Sequence, residues 1–296
     1  MNDKVKVASL SIASNTMLTL GKLIVGLSMN SVSVISEAIH SGLDLIAALI
    51  AFFAVRLSTK PADEDHNYGH GKYENVASII EALLIIVAAI MIILNAIPKL
   101  KGGGEIHGLG LGAFVMAVSA VINIIVSRKL MKVAKITESP ALAADGWHLL
   151  TDVYTSLGVL AGLLAIYVTG LTIIDPLIGI GVAILIFKAA CDLIRDSMRS
   201  ILDSCLPKSE EQIIHDVLDQ YSNIFVEYHN LRTRRAGSDR YIDLHLIISK
   251  DKNINEIHEL CYSIEQDILR QLPNVQILIY TEPERENSTD KCKIEG

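Results

Sequence analysis

The chain has 296 residues, of which 51% are hydrophobic and 20% charged, with a formal net charge of −7 and a mean hydropathy of +0.41. A soluble domain carries roughly 25% charge; here charge is scarcer and gathered into short segments, which excludes an ordinary soluble globular protein. The negative balance argues against a nucleic-acid partner and suits a surface that handles cations.

Six apolar runs, at about 7–27, 32–57, 75–98, 106–127, 141–168 and 173–191, are each long enough to cross a hydrocarbon layer of ~30 Å as a helix. The first is too long for a signal-peptide core, and no small-residue cleavage site precedes the second, so it reads as a retained span. Lys and Arg in the short loops set the orientation. Lys4 and Lys6 precede the first span, Arg56, Lys60 and Lys72 follow the second, and Arg128, Lys129, Lys132 and Lys135 follow the fourth. Arg195, Arg199 and Lys208 follow the sixth, whereas the opposite side has Lys99 and Lys101. Both termini are therefore expected on the cytoplasmic side of a cell (inner) membrane. Cys191, Cys205, Cys261 and Cys292 show no paired spacing and read as free thiols in a reducing compartment.

The second span contains HSGLD at 40–44, which puts His40 and Asp44 one helical turn apart. An ionisable side chain in the bilayer core costs at least ~2.5–3.5 kcal/mol and marks a functional site by default. The fifth span repeats the spacing with His148 and Asp152 in ALAADGWHLLTD. Two such helices face to face bring two imidazoles and two carboxylates around one point. A four-ligand N/O cage suits Zn²⁺ well, and Co²⁺, Cd²⁺ or Fe²⁺ less well. The bland alternative is a pair of intramembrane hydrogen bonds that serve helix packing.

Between the second and third spans, PADEDHNYGHGK at 61–72 crowds Asp63, Glu64, Asp65, His66 and His70 into eight residues. Its proline and glycines exclude a regular helix, and irregular backbone can wrap ligands around an ion; the alternative is a solvated acidic loop. Glu37, Glu81 and Asp145 lie in or near spans. Glu37, one turn from His40, could relay protons or bond a neighbouring helix; a wet vestibule would solvate Glu81 and Asp145, and structural roles are expected for all three. Asn15 and Asn123 are expected to bond across helices, and Lys22 and Lys188 to snorkel from span ends.

After Pro207 the pattern becomes helix 209–221, strand 226–235, strand 240–249, helix 253–270 and strand 275–282. YIDLHLIIS alternates, with Ile242, Leu244, Leu246 and Ile248 on one face and Asp243 and His245 on the other. The order αββαβ predicts a small ferredoxin-like sandwich with helices on one sheet face. The fold expected is thus an α-helical membrane protein, a six-span transmembrane bundle (1–206) followed by a small α/β ferredoxin-like cytoplasmic domain (207–286) and a polar tail (287–296).

Taken together, the six spans, the two HxxxD motifs, the metal-rich loop, the Asp175–Pro176 pair at the sixth span and HNLRTRR in the tail resemble the cation diffusion facilitator family across nearly the whole chain. The resemblance implies a homodimer in the lipid bilayer that exports a divalent transition metal from the cytoplasm against protons. Histidine at position 40 resembles the zinc-type bacterial members, so Zn²⁺ is the expected cargo and the expected structural or regulatory ion, with Fe²⁺, Co²⁺ and Cd²⁺ open. The resemblance places a second metal site on Asp63, His66 and His70. It also places regulatory metal and dimer contacts in the tail, at positions matched by His229, His245, His258, Tyr280 and Glu282. Tyr280 departs from the family, which often has histidine there, and Glu282 replaces aspartate. Lys72 and Asp203 match an interlocking pair near the dimer interface.

Three other readings compete: a manganese- or iron-selective exporter, a membrane metal-sensing scaffold without transport, and a membrane metalloenzyme. Against the last, the chain contains no HExxH, and a four-ligand cage leaves no open position for water.

Overall fold

The computed structural model describes residues 3–28, 32–102, 111–169 and 174–284. The chain divides into two compact units, Met1–Ile201 and Leu202–Gly296.

The first unit is a bundle of long helices: α1 (Asp3–Ser28), α2 (Val32–Ser58), α3 (Lys72–Gly102), α4 (Leu111–Thr137), α5 (Pro140–Thr169) and α6 (Ile174–Ile201). Among the described residues, Asp3–Val25, Lys72–Pro98 and Pro176–Ile201 are long and apolar enough to cross a membrane; α2, α4 and α5 carry the other apolar runs. The start of the fourth predicted span, 106–110, lies outside the described residues. Helices α4 and α6 continue about ten residues past their predicted apolar ends. Hydropathy sees only the lipid-facing stretch, whereas Arg, Lys, Met and Leu keep their helix propensity beyond it.

Small residues let the helices approach closely, as membrane bundles require. Ala82, Ile85 and Ala89 of α3 pack with Ala183, Ile186 and Ala190 of α6. A second core joins α1, α2, α3, α4 and α5 through Ala8, Ala54, Val55, Ala77, Leu130 and Leu142. Gly146 of α5 lies so near α4 that a Cβ there would come within 2.8 Å of Met131 Sδ, and Ser127 Oγ donates to the Gly146 carbonyl at 2.8 Å. At one end of the bundle the buried Glu74 of α3 gathers three neighbours. It accepts from Lys4 Nζ at 3.0 Å, from Ser58 Oγ at 2.6 Å and from Ser139 Oγ in the α4–α5 turn. One carboxylate thus ties α1, α2 and α3 to that turn.

The second unit comprises α7 (Lys208–Gln220), β1 (Glu227–Ala236), β2 (Asp239–Ile248), α8 (Ile254–Gln271) and β3 (Val275–Pro283). The predicted αββαβ order holds. The sheet runs β1–β2–β3, with β1 and β2 antiparallel and β2 and β3 parallel. Ile242, Leu244, Leu246 and Ile248 form the buried sheet face, and Ile214, Val217 and Leu218 of α7 and Leu260, Ile264 and Ile268 of α8 cover it. Asn253 caps α8, its Oδ1 accepting from the backbone N–H groups of Asn255 and Glu256 at 3.0 and 3.1 Å. Cys191, Cys205 and Cys261 are free thiols; Cys292 lies outside the described residues.

Candidate functional site

In the bundle, α2 and α5 bring Asp44 and His148 together, with His148 Nε2 3.2 Å from Asp44 Oδ1. Asp152, one turn further along α5, completes a group in which one ligand atom from each of Asp44, His148 and Asp152 lies within 4.8 Å of the others. The backbone beneath is held from the outside. Asn15 Nδ2 of α1 donates to the Asp44 carbonyl at 3.5 Å, Thr19 Oγ1 donates to the Ser41 carbonyl at 2.9 Å, and α4 grips Gly146, two residues before His148. His40 stands in α2 one turn before Asp44; its side chain, like that of Glu37, lies outside the described residues.

Two expectations about neighbouring polar residues need correction. Lys22 does not snorkel: it is 7% exposed and donates to Ser41 Oγ of α2 at 2.7 Å, because a buried partner lies within reach. Asn123 Oδ1 is buried with no hydrogen-bond partner among the described residues. Glu81 and Asp145 do not face a wet vestibule; both are 0% exposed.

The loop between α2 and α3 folds back on itself. Asp63 Oδ1 accepts from the His66 backbone N–H at 2.7 Å and lies 3.3 Å from His66 Nδ1, while Asp63 Oδ2 is 3.3 Å from His70 Nε2. The two imidazoles lie 4.4 Å apart between ring centres. Gly69, at φ +78°, makes the turn that returns His70 to Asp63. Desolvation acts upwards on the Asp63 carboxyl, but the hydrogen bonds from the His66 backbone and ring, with the charges of His70 and His66, outweigh it and hold the group below its usual value. The loop therefore keeps an anion facing two imidazoles. Asp63, His66 and His70 form a second group with metal-ligand spacing, while Glu64 and Asp65 are exposed.

The third group is in the sheet of the second unit. His229 of β1 stands opposite His245 of β2, and His245 stands opposite Tyr280 of β3. Glu282 Oε1 lies 2.7 Å from His245 Nδ1 and 3.8 Å from His229 Nε2. A register shift follows His229, with Asn230 at φ +52°; asparagine tolerates that conformation, and such bulges re-aim neighbouring side chains. His258 lies on α8 with its ring stacked on Tyr262, and the group comprises His229, His245 and Glu282. Lys72 donates to the Ile201 carbonyl at 3.3 Å, and Asp203 accepts from Arg234 at 3.3 Å.

Residues 8–202 match the family described as the cation efflux transmembrane domain, and residues 206–284 match the cytoplasmic domain of cation efflux proteins. The chain belongs to the cation diffusion facilitator family. It is 34% identical over 253 residues to an uncharacterized transporter of Synechocystis sp., covering 86% of this chain and 82% of that one. It is 31% identical over 280 residues to the cation-efflux pump FieF of Yersinia pestis, covering 94% and 93%. Among solved structures, the metal-bound C-terminal domain of the CzcD transporter from Thermotoga maritima is 23% identical and covers 26% of this chain and 94% of that one, with a TM-score of 0.24. As a cation diffusion facilitator, the protein is a membrane transporter for metal efflux with a small α/β domain after its helical bundle.

Within this cation diffusion facilitator, Tyr280 stands on β3 beside His245 of the tail group. The tyrosine is 59% exposed, with its ring 5.1 Å from that of His245, and a neutral phenol is a weak oxygen donor to a metal. Calorimetric titration of fragment 207–296 with Zn²⁺ is expected to give one well-held ion per chain. Two tight sites would show that another residue has taken the place of the histidine.

Proposed function

We propose that this transporter exports Zn²⁺ from the cytoplasm in exchange for protons, with Fe²⁺, Co²⁺ and Cd²⁺ as secondary cargo. In this reading it works as a homodimer in the cell (inner) membrane with both termini cytoplasmic. The observation that carries the reading is the convergence of Asp44, His148 and Asp152, from two helices of the bundle, within 4.8 Å of one another. A mixed nitrogen and oxygen set suits Zn²⁺, whereas an all-oxygen set would favour Mg²⁺ or Mn²⁺. His40 from the next turn of α2 would complete four ligands.

The proton exchange follows from the ligands. Metal binds neutral imidazole and ionised carboxylate, so loading the site displaces protons. Once the site opens outward, protons compete with the metal for the imidazole nitrogens. The Asp63, His66 and His70 group, with Glu64 and Asp65 beside it, draws cations towards the cytoplasmic face, and the tail group is a regulatory site. The matched cytoplasmic domain supports dimerisation.

The test is metal and proton flux in liposomes across a panel of divalent cations. Zn²⁺ is expected to move inward-loaded protons in the opposite direction and to outcompete Mn²⁺. His40→Asp, which exchanges nitrogen for oxygen, is expected to shift the preference towards Mn²⁺ and Fe²⁺. Binding of Zn²⁺ with no flux would favour a sensing scaffold, and an unchanged preference in the variant would remove His40 from the site.

A further inference from the structure

Glu81 and Asp145 are not explained by the site just described. Glu81 of α3 and Asp145 of α5 are both 0% exposed, and none of their four carboxylate oxygens has a hydrogen-bond partner among the described residues. Their charges act on each other, so the two groups share one interior region. Two hydroxyls join them there. Ser11 Oγ of α1 lies beside Asp145, outside strict hydrogen-bond geometry, and Ser78 Oγ, one turn before Glu81 on α3, is equally buried and has no partner among the described residues. Six oxygens from three helices are thus withdrawn from water with no partner in hydrogen-bond geometry among the described residues.

A folded membrane bundle tolerates that arrangement only with protons on the carboxyls or with a compensating cation. Burying one ionised carboxylate costs several kcal/mol, and two like charges in one low-dielectric region raise the cost further. Glutamine at position 81 and asparagine at 145 would have kept the shape without the charge, so a purely structural role does not require these residue types. A divalent cation neutralises both carboxylates at once. Six oxygens, two carboxylates and two hydroxyls, form the donor set that hard cations such as Mn²⁺ and Mg²⁺ take.

Position along the helices gives the set a role. Asp145 precedes His148 by one turn, about 4.5 Å of rise along α5. Glu81 lies nine residues into α3, about 13 Å from its first residue, and α3 begins two residues after His70. Glu81 therefore lies on the stretch of α3 that leads away from the loop group, and Asp145 on the stretch of α5 that precedes His148. We propose that Glu81 and Asp145, with the Ser11 and Ser78 hydroxyls, form a separate oxygen-lined station for a divalent cation inside the bundle. Its role as a stop on the path inward rests on the transport reading above, but its capacity to bind does not.

The test uses the purified full-length chain and Mn²⁺ as probe, counting bound ions by electron paramagnetic resonance with no gradient and no flux, so a failure of the transport reading would leave the count unaffected. The near-isosteric double variant E81Q/D145N is expected to bind one Mn²⁺ fewer per chain than the unaltered protein. The same change in an Asp152→Ala background is expected to remove one further ion from the count for Asp152→Ala alone. An unchanged count in both backgrounds overturns the proposal and leaves the pair as carboxyls that hold protons. A second measurement avoids variants that fail to fold: dicyclohexylcarbodiimide labelling of the unaltered chain, read by mass spectrometry at Glu81 and Asp145. Mn²⁺ is expected to reduce labelling at both residues at least fivefold, and equal labelling with and without Mn²⁺ overturns the proposal.

Discussion

Asp152→Ala is expected to reduce metal-driven proton flux to the level of empty liposomes while leaving the protein folded. Asp152 supplies one of the two carboxylates in the group it forms with Asp44 and His148. Without it, a divalent ion meets a single anion and loses a ligand, and even second-shell losses at metal sites cost 10–100-fold in affinity. The fold does not depend on the group in the same way. Removing a buried anion removes its desolvation cost along with its favourable contacts, so the melting temperature is expected to stay level or rise. Asp152→Asn, which keeps the shape and drops the charge, is expected to be equally inactive, and this separates loss of charge from loss of packing. Flux near the unaltered rate in either variant would remove Asp152 from the transport site.

What the sequence made legible follows from what repeats in it. The His-x-x-x-Asp pair occurs in two apolar runs, and a helix places residues i and i+4 on one face, so the meeting of Asp44, His148 and Asp152 could be read before any coordinates. The alternation in YIDLHLIIS likewise gave both faces of β2, and Ile242, Leu244 and Leu246 are all fully buried. Periodicity is silent on features that depend on which helices touch. Glu74 looks like an unremarkable first-turn acid, but it joins Lys4, Ser58 and Ser139 from three other parts of the chain. Glu81 and Asp145 sit near span ends by residue count, which suggested solvation, yet the neighbouring helices cover them completely. Lys22 carries the usual mark of a snorkelling cation; only the approach of α1 to α2 reveals Ser41 as its partner. The bulge beside His229 left one weak signal, an asparagine at position 230, and no pattern in the strand announces it.

Arg240 supports the largest expected effect on stability. It is the second residue of β2 and is 1% exposed, and its guanidinium donates from Nε to Glu210 Oε2 at 2.8 Å and from Nη2 to Glu210 Oε1 at 3.0 Å. Nη1 donates to the Pro273 carbonyl at 2.8 Å, so one side chain fastens α7 and the α8–β3 connection to the sheet. Arg240→Ala leaves the partly buried Glu210 carboxylate and the Pro273 carbonyl without the donors that Arg240 supplies. Breaking a buried pair from one side costs about 3–5 kcal/mol, much of the total for a small domain. Amide hydrogen exchange in β2 and β3 of the full-length protein is expected to accelerate by roughly two to three and a half orders of magnitude. Because β2 also carries His245, Zn²⁺ binding in the tail is expected to weaken with it. Acid supplies an independent check. The Arg240 hydrogen bonds hold the Glu210 carboxyl below its usual value, so this stabilisation is fully present above the unfolded pKa of ~4.3 and disappears as pH falls through the lower folded value. The gap between Arg240→Ala and the unaltered protein is therefore expected to be wide at neutral pH and to narrow at pH ~3. A loss under about 1 kcal/mol at neutral pH, or a gap that does not change with acid, would show that the domain is held by its apolar core alone.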